Sequence, residues 1–289
     1  MVKKTPLAVL LVVFTLRMIF AQSSEIDYNH PENSPLYFGN PSDSICDVSY
    51  EENYLLEKSQ FVVSYNNHTL CPNWVGWHLS VSDLGESGRS NKFKADNQLP
   101  ENWYHVNQSD YKFSMYGFDR GHICPSADRT SNSEDNETTF LMTNMVPQAP
   151  DNNRIVWVSL EAHERELALA GNELYIFAGP YGKGGTGQKG QFDEIPVTMT
   201  DGTLVNICVP AYTWKIILCL PEGENDISRI NAETSVMAVL VPNIQGCQYG
   251  GSWEQYKTSV NEIEKLTGFD FFELIDDKIE EVLEESIYD

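Results

Sequence analysis

An α+β fold is predicted by three features of the chain's apolar patterning. Strand-like runs rich in aromatic and β-branched residues dominate, amphipathic helical stretches are few, and strict βαβ alternation is absent. Several strand-like runs are almost wholly apolar, which places them centrally in a sheet flanked by helices. At 289 residues, 41% hydrophobic and 11% aromatic, the chain can bury one large core. Neither a disordered nor a collagen-like chain has that composition.

Residues 1–21 open with Lys3 and Lys4, run apolar from Leu7 to Phe20 and end at Ala21 before a polar stretch. That is the pattern of a secretory signal peptide, with an uncleaved anchor as the alternative, and it predicts a secreted or periplasmic protein. Residues 22–57 carry eight acids and no Lys or Arg and read as an acidic, loop-rich leader. Residues 58–289 then form a single domain without internal repeats, ending in an acidic helix. Strands are expected at 61–63, 74–79, 174–178, 204–209, 212–220 and 236–241. Helical spacing appears over 152–170, where Ile155, Val156, Trp157, Leu160, Leu167 and Leu169 recur before Gly171. Further helices are expected at 253–266 and 276–286.

The glycine-rich stretch 179–187 lacks the Gly-Lys-Ser/Thr ending of a phosphate loop and predicts a hairpin or surface loop. Six cysteines, Cys46, Cys71, Cys124, Cys208, Cys219 and Cys247, suit an exported chain and predict disulfides of unreadable pairing. None has zinc-ligand spacing.

Charge argues against a protein that coats itself in nucleic acid: 19 Lys and Arg face 42 Asp and Glu, a net of −23. The surplus is chiefly terminal. Residues 22–57 carry −8 and residues 261–289 carry −9, whereas residues 89–129 hold six bases against five acids. Substrate binding by the central stretch should therefore be weak and salt-sensitive.

That stretch contains Asp119-Arg120-Gly121-His122. Taken singly, these residues are an ion pair, a turn and a satisfied core histidine. Downstream, Asn144 precedes Met-Val-Pro-Gln, Asn153 opens the expected helix, and Glu161 follows eight residues later. At about 100° per residue, eight residues return to within roughly 80°, so Asn153 and Glu161 share a helix face, joined by Arg165. An amide oxygen, a carboxylate and a guanidinium on one face can hold a hydrated divalent cation beside a phosphate.

The sequence resembles the DNA/RNA non-specific endonucleases, the ββα-metal nucleases. Besides the Asp119–His122 core with Asn144, Asn153 and Glu161, the resemblance rests on residues 74–79, 209–215 and the closing Thr267-Gly268-Phe269-Asp270-Phe271-Phe272. It implies a ββα-metal fold and metal-dependent hydrolysis of DNA and RNA phosphodiesters with little sequence preference, leaving 5′-phosphates. It also implies the roles. His122 would be the base that deprotonates water. Asn153 would be the direct ligand of one Mg²⁺ or Mn²⁺ that stabilises the departing oxygen. Glu161 would hold that ion through water.

Arg120 and Arg165 would grip the scissile phosphate. Asn144 would orient the site, with Asp119 and Gly121 structural. Arg89 is a looser candidate for substrate phosphate, with Lys92 and Lys94 as rivals. By family analogy a homodimer is open.

Cys124, two residues past His122, raises a Cys–His nucleophile, against which a disulfide partner is favoured. Two other classes stay in view: a catalytically inactive nuclease-fold module that binds nucleic acid or protein, and a carboxylate-pair hydrolase.

Overall fold

A computed structural model describes residues 30–288; the expected signal peptide lies outside them. Along the chain come β1 (Tyr54–Glu57), β2 (Val62–Asn66), β3 (Cys71–Leu79), the one-turn helix α1 (Phe113–Tyr116), β4 (Asp119–His122), α2 (Ser133–Thr138), β5 (Met145–Gln148), α3 (Val158–Leu169) and β6 (Asn172–Tyr181). Two small hairpins follow, β7 (Gly185–Gly187) with β8 (Gly190–Phe192), and β9 (Glu194–Thr198) with β10 (Leu204–Cys208). Then come β11 (Tyr212–Pro221), α4 (Asp226–Arg229), β12 (Ser235–Pro242), β13 (Lys257–Thr258), α5 (Val260–Thr267) and α6 (Asp277–Glu285).

Seven strands form one antiparallel sheet in the order β1-β2-β3-β6-β11-β12-β13. Its central strands are apolar because both faces are covered. On β6, Leu174, Ile176 and Ala178 face one core while Tyr175 and Phe177 face the other. The first core also takes Val156, Trp157 and Leu160 from the helix that follows β5. The second is closed by Leu36, Phe38, Val260, Ile263, Phe271 and Leu283.

The strands expected at 174–178, 204–209, 212–220 and 236–241 are β6, β10, β11 and β12. Those expected at 61–63 and 74–79 are β2 and β3, and the glycine-rich stretch runs from the end of β6 into the β7–β8 hairpin. The helix expected over 253–266 begins only at Val260. Lys257 and Thr258 pair instead with Val239 and Ala238 at the sheet edge, and Ser259 caps α5 by accepting Glu262 N. From residue 30 onward the acidic leader packs with the domain: Leu36 and Phe38 are buried, and β1 is one of the sheet's two edge strands.

The disulfide expectation is not met, since all six cysteines are free thiols. They sit on separate elements; Cys71 Sγ, for one, rests 3.5 Å from the backbone oxygen of Cys208.

Candidate active site

Two short strands and a helix build the site. β4 pairs antiparallel with β5, setting Asp119 opposite Gln148 and His122 opposite Met145. A side chain at Gly121 would put its Cβ 2.1 Å from Gln148 Oε1, so only glycine lets the strands meet here. Asn144, fully buried, fastens the segment after His122. Its Oδ1 accepts Cys124 N at 2.9 Å, and its Nδ2 donates to Cys124 O at 2.8 Å and Thr139 O at 2.9 Å. With every amide group so used, Asn144 holds backbone in place. Cys124 is buried, and burial pushes its thiol well above the ordinary range, which removes the Cys–His nucleophile.

The His122 imidazole is buried edge-on against Phe140 and Phe93, with ring centroids 4.7 and 5.5 Å away. Burial, then the charges of Arg89 and Arg120, lower its pKa well below 6.5, so the ring is neutral at neutral pH. Its Nε2 has no hydrogen-bond partner among the described residues, as a base awaiting a proton requires. The guanidinium of Arg120 lies 4.3 Å over Phe93 and donates to Gln108 O, and that of Arg89 lies 4.9 Å over Phe140. Arg89, the loose sequence candidate, therefore does reach the site, whereas Lys92 is paired with Glu137.

After β5 the chain enters a π-helix, Asn152–Trp157, that continues as α3. Its i→i+5 turns advance less per residue than α-helical ones, so the offset expected between Asn153 and Glu161 closes below that of a regular helix. Asn153 Nδ2 donates to Asp119 Oδ2 at 2.9 Å, leaving Oδ1 with no donor among the described residues. Arg154 grips the same carboxylate at 2.8 and 2.6 Å. Asp119 thus sets which atom of Asn153 faces outward. A cavity of about 210 Å³ adjoins it, lined by Tyr111, Phe113, Phe118, Asp119, Arg120 and Arg154.

Glu161 is buried one turn before a charged network. Arg165 Nη1 binds Asp128 Oδ1 at 2.9 Å, and Trp77 Nε1 donates to Asp128 Oδ2 at 3.1 Å. Beneath them, Lys215 Nζ meets Glu164 Oε1 at 2.8 Å with both side chains fully buried. Burial raises Glu161 to about 8, opposed by the charges of Lys215 and Arg165.

The chain from 43 to 278 matches the family model of the DNA/RNA non-specific endonucleases. A nuclease of Nostoc sp. is 43% identical over 252 residues, covering 87% of this chain and 85% of the relative. A nuclease of Syncephalastrum racemosum is 31% identical over 77% of this chain and 68% of its own.

The chain belongs to the DNA/RNA non-specific endonuclease family.

Its fold agrees: the crystal structure of an EndoG/EndoGI complex matches with a TM-score of 0.64 at 22% identity, over 86% of this chain and 96% of that one. The protein is a non-specific endonuclease, a phosphodiester hydrolase on the ββα-metal fold. For this nuclease, the motif reading named His122, Asn144, Asn153 and Glu161 but none of the side chains packed against them. Arg154, Asp128, Glu164, Lys215, Phe93 and Phe140 all act on it. Only Arg154, beside Asn153, carried a linear signal.

Proposed function

We propose that this nuclease cleaves DNA and RNA internally with little sequence preference, using His122 as general base and one Mg²⁺ (or Mn²⁺) held directly by Asn153 and through water by Glu161. The donor set supports the metal: an amide oxygen turned outward by Asp119 and a buried carboxyl are hard oxygen donors suited to such a cation. When bound, the ion supplies Lewis-acid stabilisation of the departing oxygen. The observation that carries the proposal is the neutral, buried imidazole of His122 with a free Nε2, flanked by Arg89 and Arg120.

In the proposed reaction His122 takes the proton from the attacking water, a transfer that its neutral form can accept. Arg120 and Arg89 hold the scissile phosphate against the base and offset its growing charge. Arg165, braced by Asp128, keeps positive charge beside Glu161. None of these residues reads a base edge, which supports the lack of sequence preference. We also propose export, on the signal-like residues 1–21.

Purified protein with supercoiled plasmid or RNA tests the reading. Nicking with Mg²⁺ is expected, none with EDTA, and a loss of about 10²-fold or more in His122→Ala. Undiminished activity in that variant removes His122 as base, and no cleavage under any metal condition removes the enzyme reading in favour of a binding module.

A further inference from the structure

The cavity of about 210 Å³ beside Asp119 is lined by Tyr111 and Phe118, both buried, by Phe113 of α1, and by Asp119, Arg120 and Arg154. Phe113 is 39% exposed, and the Arg154 guanidinium lies 5.7 Å over its ring. Packing does not require an aromatic side chain there, because Phe113 belongs to neither core. Lys112 enters α1 at φ 40°, a left-handed backbone that non-glycine residues rarely adopt, so the turn that presents Phe113 is held at some cost.

Charge sets the cavity apart. Arg154 neutralises Asp119 through bonds of 2.8 and 2.6 Å, and Arg120 then leaves the lining with a net positive charge in a chain of net −23. Arg120 also joins the cavity to the β4–β5 motif. Its guanidinium rests 4.3 Å over Phe93, whose ring packs 5.5 Å from that of His122. A strand whose scissile phosphate lies between Arg120 and His122 therefore brings its next nucleotide to this cavity.

We propose that the cavity is a subsite for one unpaired nucleotide next to the scissile phosphate, with its base stacked on Phe113 and its own phosphate beside Arg154. Aromatic faces flanked by guanidinium groups are a general means of holding single strands. At about 210 Å³ the space is below that of drug-sized ligand sites, about 300–1,000 Å³, and suits one base. Every base has a stacking face, so the subsite holds a strand without selecting a sequence. A paired base keeps its faces inside the duplex stack, so single-stranded DNA or RNA is favoured over duplex. This subsite rests on the nuclease reading and extends it from the phosphate to the base.

The test is steady-state cleavage, at saturating Mg²⁺, of two single strands of equal length: oligothymidylate, and the same backbone carrying tetrahydrofuran abasic residues. The wild-type protein is expected to show a KM about 10-fold higher on the abasic strand. Phe113→Leu keeps an apolar contact for Arg154 but offers no stacking face. It should raise KM for oligothymidylate about 10-fold with kcat held, and leave KM for the abasic strand at the wild-type value. Phe113→Trp should keep KM for oligothymidylate at or below that of the wild type. Equal wild-type KM values on the two strands overturn the subsite without recourse to any variant. An equal rise on both strands in Phe113→Leu also overturns it, by making Phe113 a support for Arg154, as does a raised KM in Phe113→Trp. Cleavage of oligothymidylate by the wild-type protein upholds the nuclease reading whatever Phe113 does, so the two fail separately.

Discussion

The tasks proposed for His122 and Asn153 each depend on a neighbouring side chain. Asp119 accepts a hydrogen bond from Asn153 Nδ2, so the amide oxygen is the atom that the proposed cation would meet. Replacing Asp119 by Asn keeps the shape but lets either amide turn over. The expected outcome is a Mg²⁺ requirement raised about 10- to 100-fold, with little change in KM for DNA, read from Mg²⁺ titrations of plasmid nicking. An unchanged titration would leave Asp119 with only its bond to Arg154. His122 gives a second expectation at this scale. Its folded pKa is lowered, so at saturating Mg²⁺ the acid limb of kcat/KM should have its midpoint well below the ordinary histidine value of 6.5. The candidate residues could be picked out of the sequence because the family motif sits in short, fixed spacings. Asp128, Lys215 and Glu164 were not, because no spacing in the chain relates a β11 lysine to a helix formed some fifty residues earlier.

Among the elements, those buried on both faces were readable: β6, β11 and β12 are long apolar runs, and little else in water forms such a run. β4 and β5 were not read as strands, since four residues each, several polar and functional, show no period. The π turn before α3 was equally hidden, being set by what Asn152 and Asn153 must reach rather than by apolar spacing. Lys215 is the clearest breach of pattern. It shares a strand face with Ile217 in the first core, where it meets Glu164 and sits 4.6 Å over Trp157. This buried pair fixes how α3 seats on the sheet, and hence where Glu161 stands. Lys215→Met alone strands the Glu164 carboxylate and should destabilise by about 3–5 kcal/mol, whereas pairing it with Glu164→Leu should recover most of that loss. Urea unfolding of both variants measures this; equal losses in the two would mean that the pair is not the link.

For the whole molecule the governing fact is a net charge of −23. Part of it is buried among like charges. Burial raises Glu161 to about 8, Glu280 to about 7 and Glu284 to about 9, and it raises Glu264 as well. In the unfolded chain these groups ionise near 4.5, so between that pH and 7–9 the folded protein holds protons that the unfolded one has released. Their contribution to stability is therefore complete below about pH 4.5 and is lost as pH rises through the folded values. His122 opposes this. Lowered in the fold, it penalises folding as pH falls below 6.5, and the lowered carboxyls of Asp47, Glu137 and Asp201 act the same way at more acid pH, but those three are held only by surface contacts, and burial raises Glu164 as well. The melting temperature of the EDTA-treated protein should thus rise from pH 8.5 to about pH 5, and added salt should narrow the difference by screening the acidic termini. A flat or inverted profile in thermal melts would mean that these carboxylates are already compensated in solution. The same acidity explains why so negative a chain can act on a polyanion: the repulsion is concentrated at residues 22–57 and 261–289, and the β4–β5 motif lies in the stretch where bases slightly outnumber acids.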